Sequence, residues 1–231
     1  MPQPKGTFSK GVKNTQKNMI RSNWVLDPGK FLSQEEVNRL LVTARKRAEA
    51  AIARGKKVAV RDYFIVDLAL STGLRVGEIS DLKCKDIFLR EHFCALLVRN
   101  GKGGKKRLVR FNGAFKRHYE KFISWKQSVG EPTGLSDPLL LSSNTGGHMT
   151  TRALEKAFKR TAARAGLASR YSIHCLRHTY ACELYKASGY NLRLVQKQLG
   201  HSHIGTTQVY ADVMEPDAQR ALEHLYGSLS K

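Results

Sequence analysis

The chain has 231 residues, 41% of them hydrophobic, which suits one well-cored domain or a domain with a short appendage. No apolar run approaches the ~20 residues a membrane span needs, and the basic opening MPQPKGTFSKGVKN has no apolar stretch behind it. Neither a membrane helix nor a secretory signal is read, and the cytoplasm is the expected compartment. Forty Lys and Arg against nineteen Asp and Glu leave a formal charge of +21, and such a chain repels itself unless a polyanion neutralises it. Nucleic acid is the first candidate partner, because contacts to phosphates release condensed counterions; a merely basic soluble protein or a binder of acidic membranes is the plainer alternative.

Residues 1–30 read as a flexible basic tail: Lys5, Lys10, Lys13, Lys17, Arg21 and Lys30 face a single acid, Asp27. It is either a leader without a role or an arm that lies along a DNA backbone. Ser33 followed by Glu36 makes a capping box, and Val37, Leu40, Leu41 and Ala44 supply an apolar face, so a helix is expected to about Arg54, ending at Gly55. A second helix is expected from about Val60 to Gly73, carrying Phe64, Leu68 and Ala69, and a short third over 76–82. Residues 94–98 form a strand-like apolar run and 107–111 alternate as a strand should, with the glycine-rich turn Asn100-Gly-Lys-Gly-Gly-Lys-Lys106 between them. Helical patterns follow over 113–128, 150–165, 174–188, 191–199 and 203–213, and a last amphipathic stretch has Ala218, Ala221, Leu222 and Leu225 on one face. The expected fold is mainly α with a small antiparallel β-sheet (α+β).

Cys84, Cys94, Cys175 and Cys182 form no CxxC pair and are expected to be reduced packing residues, with no zinc site. Four other segments carry residue types suited to chemistry. In His174-Cys-Leu-Arg-His178, a helix would bring His174, Arg177 and His178 to one face. Two histidines at that spacing can hold zinc, but Arg177 between them is a permanent cation that repels a metal and attracts an oxyanion. In Thr72-Gly-Leu-Arg-Val-Gly-Glu78, Arg75 projects at a helix start, where it can fork onto a phosphate while Glu78 orients it; a surface salt bridge is the plainer alternative. The hairpin places Lys102, Lys105, Lys106 and Arg107 within eight residues, and its glycines allow close approach to a ligand. It matches neither GxxxxGK[ST] nor GxGxxG, so a solvated turn competes with a mobile arm reaching into DNA. His201 follows a helix end marked by Gly200, and Tyr210 lies nine residues on, where a tyrosine is most often packing.

In this order the segments resemble the tyrosine recombinase family of lambda-type integrases, Xer recombinases and Cre: an Arg in TGLRxxE, a Lys in a GKG hairpin, HxLRH, LGH, then Tyr. The spacings of three from His174 to Arg177, twenty-four to His201 and nine to Tyr210 also resemble the family's. The resemblance covers roughly residues 30–228. It implies the catalytic domain of a site-specific DNA recombinase (31–231) that makes a 3′-phosphotyrosyl link and requires neither ATP, cofactor nor metal. Tyr210 is then the nucleophile, Arg75 and Arg177 clamp the nonbridging oxygens, and Lys102 is the general acid for the leaving 5′-oxygen. His174 donates or accepts a proton near the nucleophile, His201 supports the transition state, and His178 falls at a more structural position. Lys105, Lys106 and Arg107 are expected to bind nucleic acid. The physics agrees: cations aimed at the charge that develops on the phosphorane lower the barrier by ~3–4 kcal/mol per contact, and a phenol of pKa ~10 needs a base or a positive field to attack.

The partners implied are double-stranded DNA, further copies forming a tetramer on it, and accessory proteins, with no membrane. The stretch at about 217–227 resembles an exchange helix that docks on a neighbouring subunit; packing on its own domain is the alternative. Only about thirty residues precede the catalytic domain, where most members carry a DNA-binding domain of about a hundred. The initial Met and basic tail point to a naturally single-domain member rather than part of a longer protein. Two other functions compete: a topoisomerase-like relaxing activity, acting as a monomer, and a non-enzymatic DNA-binding regulator, which has no need of Tyr210 or Lys102.

Overall fold

Ser33 begins the first helix as the sequence predicts. Its hydroxyl accepts from the Glu36 N–H at 3.2 Å while the Glu36 carboxylate accepts from the Ser33 N–H at 2.9 Å, closing the capping box on α1 (Gln34–Ile52). The computed structural model describes residues 30–213. Most of the basic tail and the whole of the expected exchange helix at 217–227 lie outside the described residues. No helix among the described residues is long and apolar enough to cross a membrane.

Leu40, Ala44, Ala48 and Ala51 form the buried stripe of α1, and the three small alanines let it lie close against α2 (Val58–Thr72). The second helix buries Val60, Phe64, Ile65, Val66, Leu68 and Ala69, so apolar groups cover most of its circumference. It is the central element, flanked by α1, α4 (Gly113–Ser128), α5 (Thr151–Arg164) and α6 (His174–Ala187). Phe64 stacks on Phe122 of α4 with ring centroids 3.8 Å apart. The central helix stops at Gly73, whose φ of +61° puts it in the left-handed region. A side chain there would also collide with the Tyr180 ring, 2.2 Å from an added Cβ. Glycine is therefore required twice over at a position that, as shown below, holds the site.

The short α3 (Val76–Ser80) leads into an antiparallel sheet of order β1 (Ile87–Arg90), β2 (Phe93–Val98), β3 (Arg107–Arg110). The sequence predicts only the two inner-hairpin strands. The third is an edge strand of four residues, too short to show alternation, and it is defined by pairing Ile87 with Leu96 and Leu89 with Cys94. After α6 come α7 (Leu192–Leu199), capped by Asn191, and α8 (Gly205–Val213). The last helix begins two residues later than the pattern over 203–213 suggests. The chain is thus mainly α with one small antiparallel sheet. The four cysteines are free, with Cys84, Cys175 and Cys182 buried.

Two apolar clusters result. The larger runs from α1 through the sheet, α4 and α5 to Leu176 in the first turn of α6. The smaller joins Ala181, Cys182, Val195, Leu199 and Tyr210, with Phe31, Tyr180, Leu184, Tyr185 and Val209 packed against it. Helix α6 straddles both, and Arg177 stands at the seam.

Candidate active site

Arg177 projects from α6 into the seam and is 7% exposed. Its Nη1 donates to the Gly73 carbonyl at 2.5 Å and its Nη2 to the Leu199 carbonyl at 2.9 Å. Gly73 caps α2 and Leu199 is the last residue of α7. Two helix C-terminal ends, each carrying partial negative charge, therefore hold one guanidinium. Burial, followed by the field of Arg75, lowers Arg177 to about 10, so it remains cationic at neutral pH.

The Nη2 of Arg177 also lies 3.0 Å from His201 Nε2. A guanidinium can only donate, so Nε2 must be the acceptor and the ring proton sits on Nδ1. Nδ1 lies 3.0 Å from the Thr207 hydroxyl, which accepts that proton's hydrogen bond. Burial first, then Arg177, Arg75 and Arg107, push His201 down to about 4, so the ring is neutral. Gly200, left-handed at φ +65°, turns the chain between α7 and this histidine.

Arg75 caps the start of α3. Its N–H donates to Glu78 Oε2 at 2.8 Å and its Nη1 to Oε1 at 2.9 Å. Glu78 orients the arginine as the sequence suggested, but the pair is no surface salt bridge: Glu78 is buried, and Arg107 forks onto the same carboxylate at 2.7 and 2.9 Å. Burial raises the Glu78 carboxyl, yet the hydrogen bonds from Arg107 and the Arg75 N–H more than offset this, and it titrates below the usual range. One carboxylate thus sits among three guanidiniums, leaving a net positive pocket suited to a phosphate.

Tyr210 points from α8 into the small cluster and is 2% exposed. Its Oη lies 3.1 Å from Nδ1 of His178. Burial, then the Arg177 charge, lowers His178 to about 4; as a neutral ring it can accept from the phenol. Burial raises Tyr210 to about 12, outweighing the opposing field of Arg177. The two histidines of this helix are placed differently. His174 opens α6 and is exposed, whereas His178, one turn further along, faces α8 and holds the tyrosine.

Arg75, Arg177 and His201 are brought together, with Tyr210 on the adjoining helix. Lys105 and Lys106 are exposed on the hairpin, whose turn uses left-handed Gly103 and Gly104. The Lys102 side chain lies outside the described residues. Arg107, expected beside the hairpin lysines, is turned inward instead. Sequence reasoning also missed Thr207, fully buried and three residues before Tyr210, a helical spacing that sets both on the inward face of α8.

Residues 30–216 match the phage integrase family. The tyrosine recombinase XerD of Oceanobacillus iheyensis is 36% identical over 184 residues, 79% of this chain and 57% of that protein. XerC of Vibrio vulnificus (strain YJ016) is 32% identical over 181 residues, 78% of this chain and 52% of that protein. The chain belongs to the phage integrase family. Among solved structures it is similar to the XerH site-specific recombinase bound to difH in a pre-cleavage complex (TM-score 0.67, 26% identity, 84% of this chain and 54% of that one). It is also similar to the XerA recombinase (TM-score 0.64, 26% identity, 87% and 63%). Its fold is that of tyrosine recombinase catalytic domains, and it spans about three-fifths of the length of the XerD relative. Two inward hydrogen bonds, Arg177 to His201 and His178 to Tyr210, each bridge from α6 to the chain segment after α7.

Proposed function

We propose that this chain is the catalytic domain of a site-specific DNA recombinase that cleaves and rejoins strands through a 3′-phosphotyrosyl link at Tyr210. The carrying observation is the buried Arg177, fixed by two helix ends and hydrogen-bonded to His201, beside Arg75 and next to the tyrosine helix. A phosphodiester carries one negative charge and its five-coordinate transition state gains a second. Guanidiniums fixed before the substrate arrives stabilise that second charge without reorganisation. The Tyr210 phenol oxygen forms the bond to phosphorus as the bond to the 5′-oxygen breaks, and Lys102 protonates the departing oxygen. The phenol proton leaves to an imidazole, His174 once DNA is bound. His201 donates to a nonbridging oxygen alongside Arg75 and Arg177 once its ring proton moves from Nδ1 to Nε2. Reversal by an incoming 5′-hydroxyl reseals the strand, and the phosphotyrosine bond conserves the energy needed.

The formal charge of +21 and the exposed Lys105 and Lys106 fit contact with the DNA backbone. The XerH relative is described bound to its difH substrate, which supports DNA as the partner here. A tetramer on double-stranded DNA, accessory proteins and the cytoplasm as compartment belong to the same proposal. The relatives named above are recombinases, which does not favour the relaxing-topoisomerase alternative.

A nicked suicide substrate tests the reading. The chain is expected to form a detergent-stable covalent adduct, and Tyr210→Phe to bind the same DNA while forming none. An adduct trapped by the phenylalanine variant would place the nucleophile elsewhere.

A further inference from the structure

We propose that Arg107 is a positioning residue for the phosphate clamp, locking Glu78 so that Arg75 stays aimed and tying the Lys102 hairpin to the His201 turn. The inference deepens the recombinase reading and rests on it. Arg107 follows directly on the exposed Lys105 and Lys106, and its place in that run suggests a backbone contact to DNA. Its geometry points the other way. All three guanidinium nitrogens are engaged within the protein: Nη1 and Nη2 reach the two Glu78 oxygens, and Nε donates to the Gln198 carbonyl at 3.2 Å. The side chain is 12% exposed.

The contact joins three elements. Arg107 begins β3, on the strand leaving the Lys102 turn; Glu78 lies on α3 with Arg75; Gln198 lies on α7, two residues before Gly200. The arginine stem crosses the backbone at Gly200 so closely that an added Cβ there would lie 2.6 Å from its Cδ and 2.8 Å from its Nε. The Gln198 side chain adds a second tie to the strand, accepting from the Arg110 N–H at 3.1 Å. A shift of the hairpin is therefore felt at both the Arg75 and the His201 sides of the site.

The charge arrangement gives the fork its purpose. Were Glu78 paired with Arg75 alone, it would neutralise the cation intended for the phosphate. Because Arg107 takes both oxygens, Glu78 is shared, its plane cannot rotate, and Arg75 uses one Nη1 donor on it while remaining partly exposed. The groups facing Glu78 are Arg75 from its own helix, Arg107 from β3 and Arg177 from α6.

The test compares the intact chain with Arg107→Ala and Arg107→Gln on the nicked suicide substrate. Glutamine keeps the stem over Gly200 and one donor for Glu78, so it decides the matter if the alanine variant does not fold. Cleavage at saturating DNA is expected to fall about 100-fold in the alanine variant, as for a misplacement of about 1 Å, with partial recovery in glutamine. The Kd for DNA and the slope of log K against log salt should not change. The acid limb of the rate profile should move to higher pH, because Glu78 loses a hydrogen bond that holds its carboxyl low. A 13C titration of the Glu78 carboxyl reads the same contact without cleavage and should rise in Arg107→Gln. A salt slope smaller by about one, with weaker binding, unchanged cleavage at saturation and an unmoved Glu78, would make Arg107 a phosphate anchor and overturn the proposal. If the unaltered chain makes no adduct, the recombinase reading fails while the Glu78 titration still judges the role of Arg107.

Discussion

The two apolar clusters differ in size and in what they carry. The larger, built on α2 and its neighbours, supports Gly73, Arg75 and Glu78 on a base that includes fully buried Phe64, Phe115 and Phe158. Among the described residues the smaller holds Tyr210 with Ala181, Cys182, Val195 and Leu199 as its fully buried apolar companions and five partly buried ones packed against them. Arg75 and Glu78 thus stand on the part of the molecule that is costly to deform, the phenol on the part that is cheaper to deform, and Arg177 is anchored to both. Fully burying one large apolar side chain contributes roughly 1.5–3 kcal/mol. Withdrawing Tyr210 from its cluster therefore costs an amount that DNA contacts can supply. As folded here the phenol is held by His178 and raised to about 12; under the proposed function it would have to turn toward the arginines before attacking.

Arg177 at the seam offers the sharpest way to break this comparison. Arg177→Ala is expected to lower cleavage by about 10²–10³ or more while leaving DNA binding much less affected. It also leaves the carbonyls of Gly73 and Leu199 without their donor, costing about 1–3 kcal/mol of stability. Suicide-substrate rates, filter binding and urea melts measure the three effects, and equal losses in binding and cleavage would make it an anchor rather than part of the clamp.

Cavities in the two clusters should behave differently. Phe64→Ala removes a ring fully buried in the large cluster and stacked on Phe122, and should lower global stability by about 3–5 kcal/mol. Leu199→Ala, also fully buried, should act first on its own neighbourhood. Amide exchange over 205–213 should accelerate well before the amides of α2 respond. Equal acceleration in both regions would show that the clusters unfold as one unit.

A pH dependence is also expected. His178 and His201 are lowered from 6.5 to about 4, so between these values the unfolded chain binds more protons than the folded one. Stability should therefore rise with pH from about 4 to 6.5 and fall as acid is added through that window. Both rings sit beside Arg177 and both contact α8, so this helix should loosen first on acidification. A thermal midpoint that does not vary over this range would contradict the buried neutral state of the two imidazoles.

Much of the fold is legible in the sequence because its signals are local. The Ser33–Glu36 capping box, the left-handed glycines at 73 and 200 and the apolar spacing in α1 and α4 act within one or two turns of chain. The edge strand at 87–90 was not legible, since three half-buried residues and an exposed Arg90 become a strand only by pairing with β2. The site divides in the same way. Arg75 with Glu78 one turn on, and His201 after a glycine stop, follow from spacing along the chain.

Other assignments depend on packing between distant segments. Arg107 is indistinguishable from Lys105 and Lys106 in a run of cations until α3 and α7 fold against β3 and give it a carboxylate and a carbonyl. Likewise, helical periodicity puts His174 and His178 on one face, but only the position of α8 decides which of them meets Tyr210. The sequence by itself determined the inventory of charged and nucleophilic groups and the helices that carry them, because residue type and short-range periodicity are properties of the chain. The tertiary structure alone decided which cations turn inward, which imidazole holds the phenol and which carbonyls hold Arg177, because a side chain's partner is set by whatever distant backbone arrives beside it.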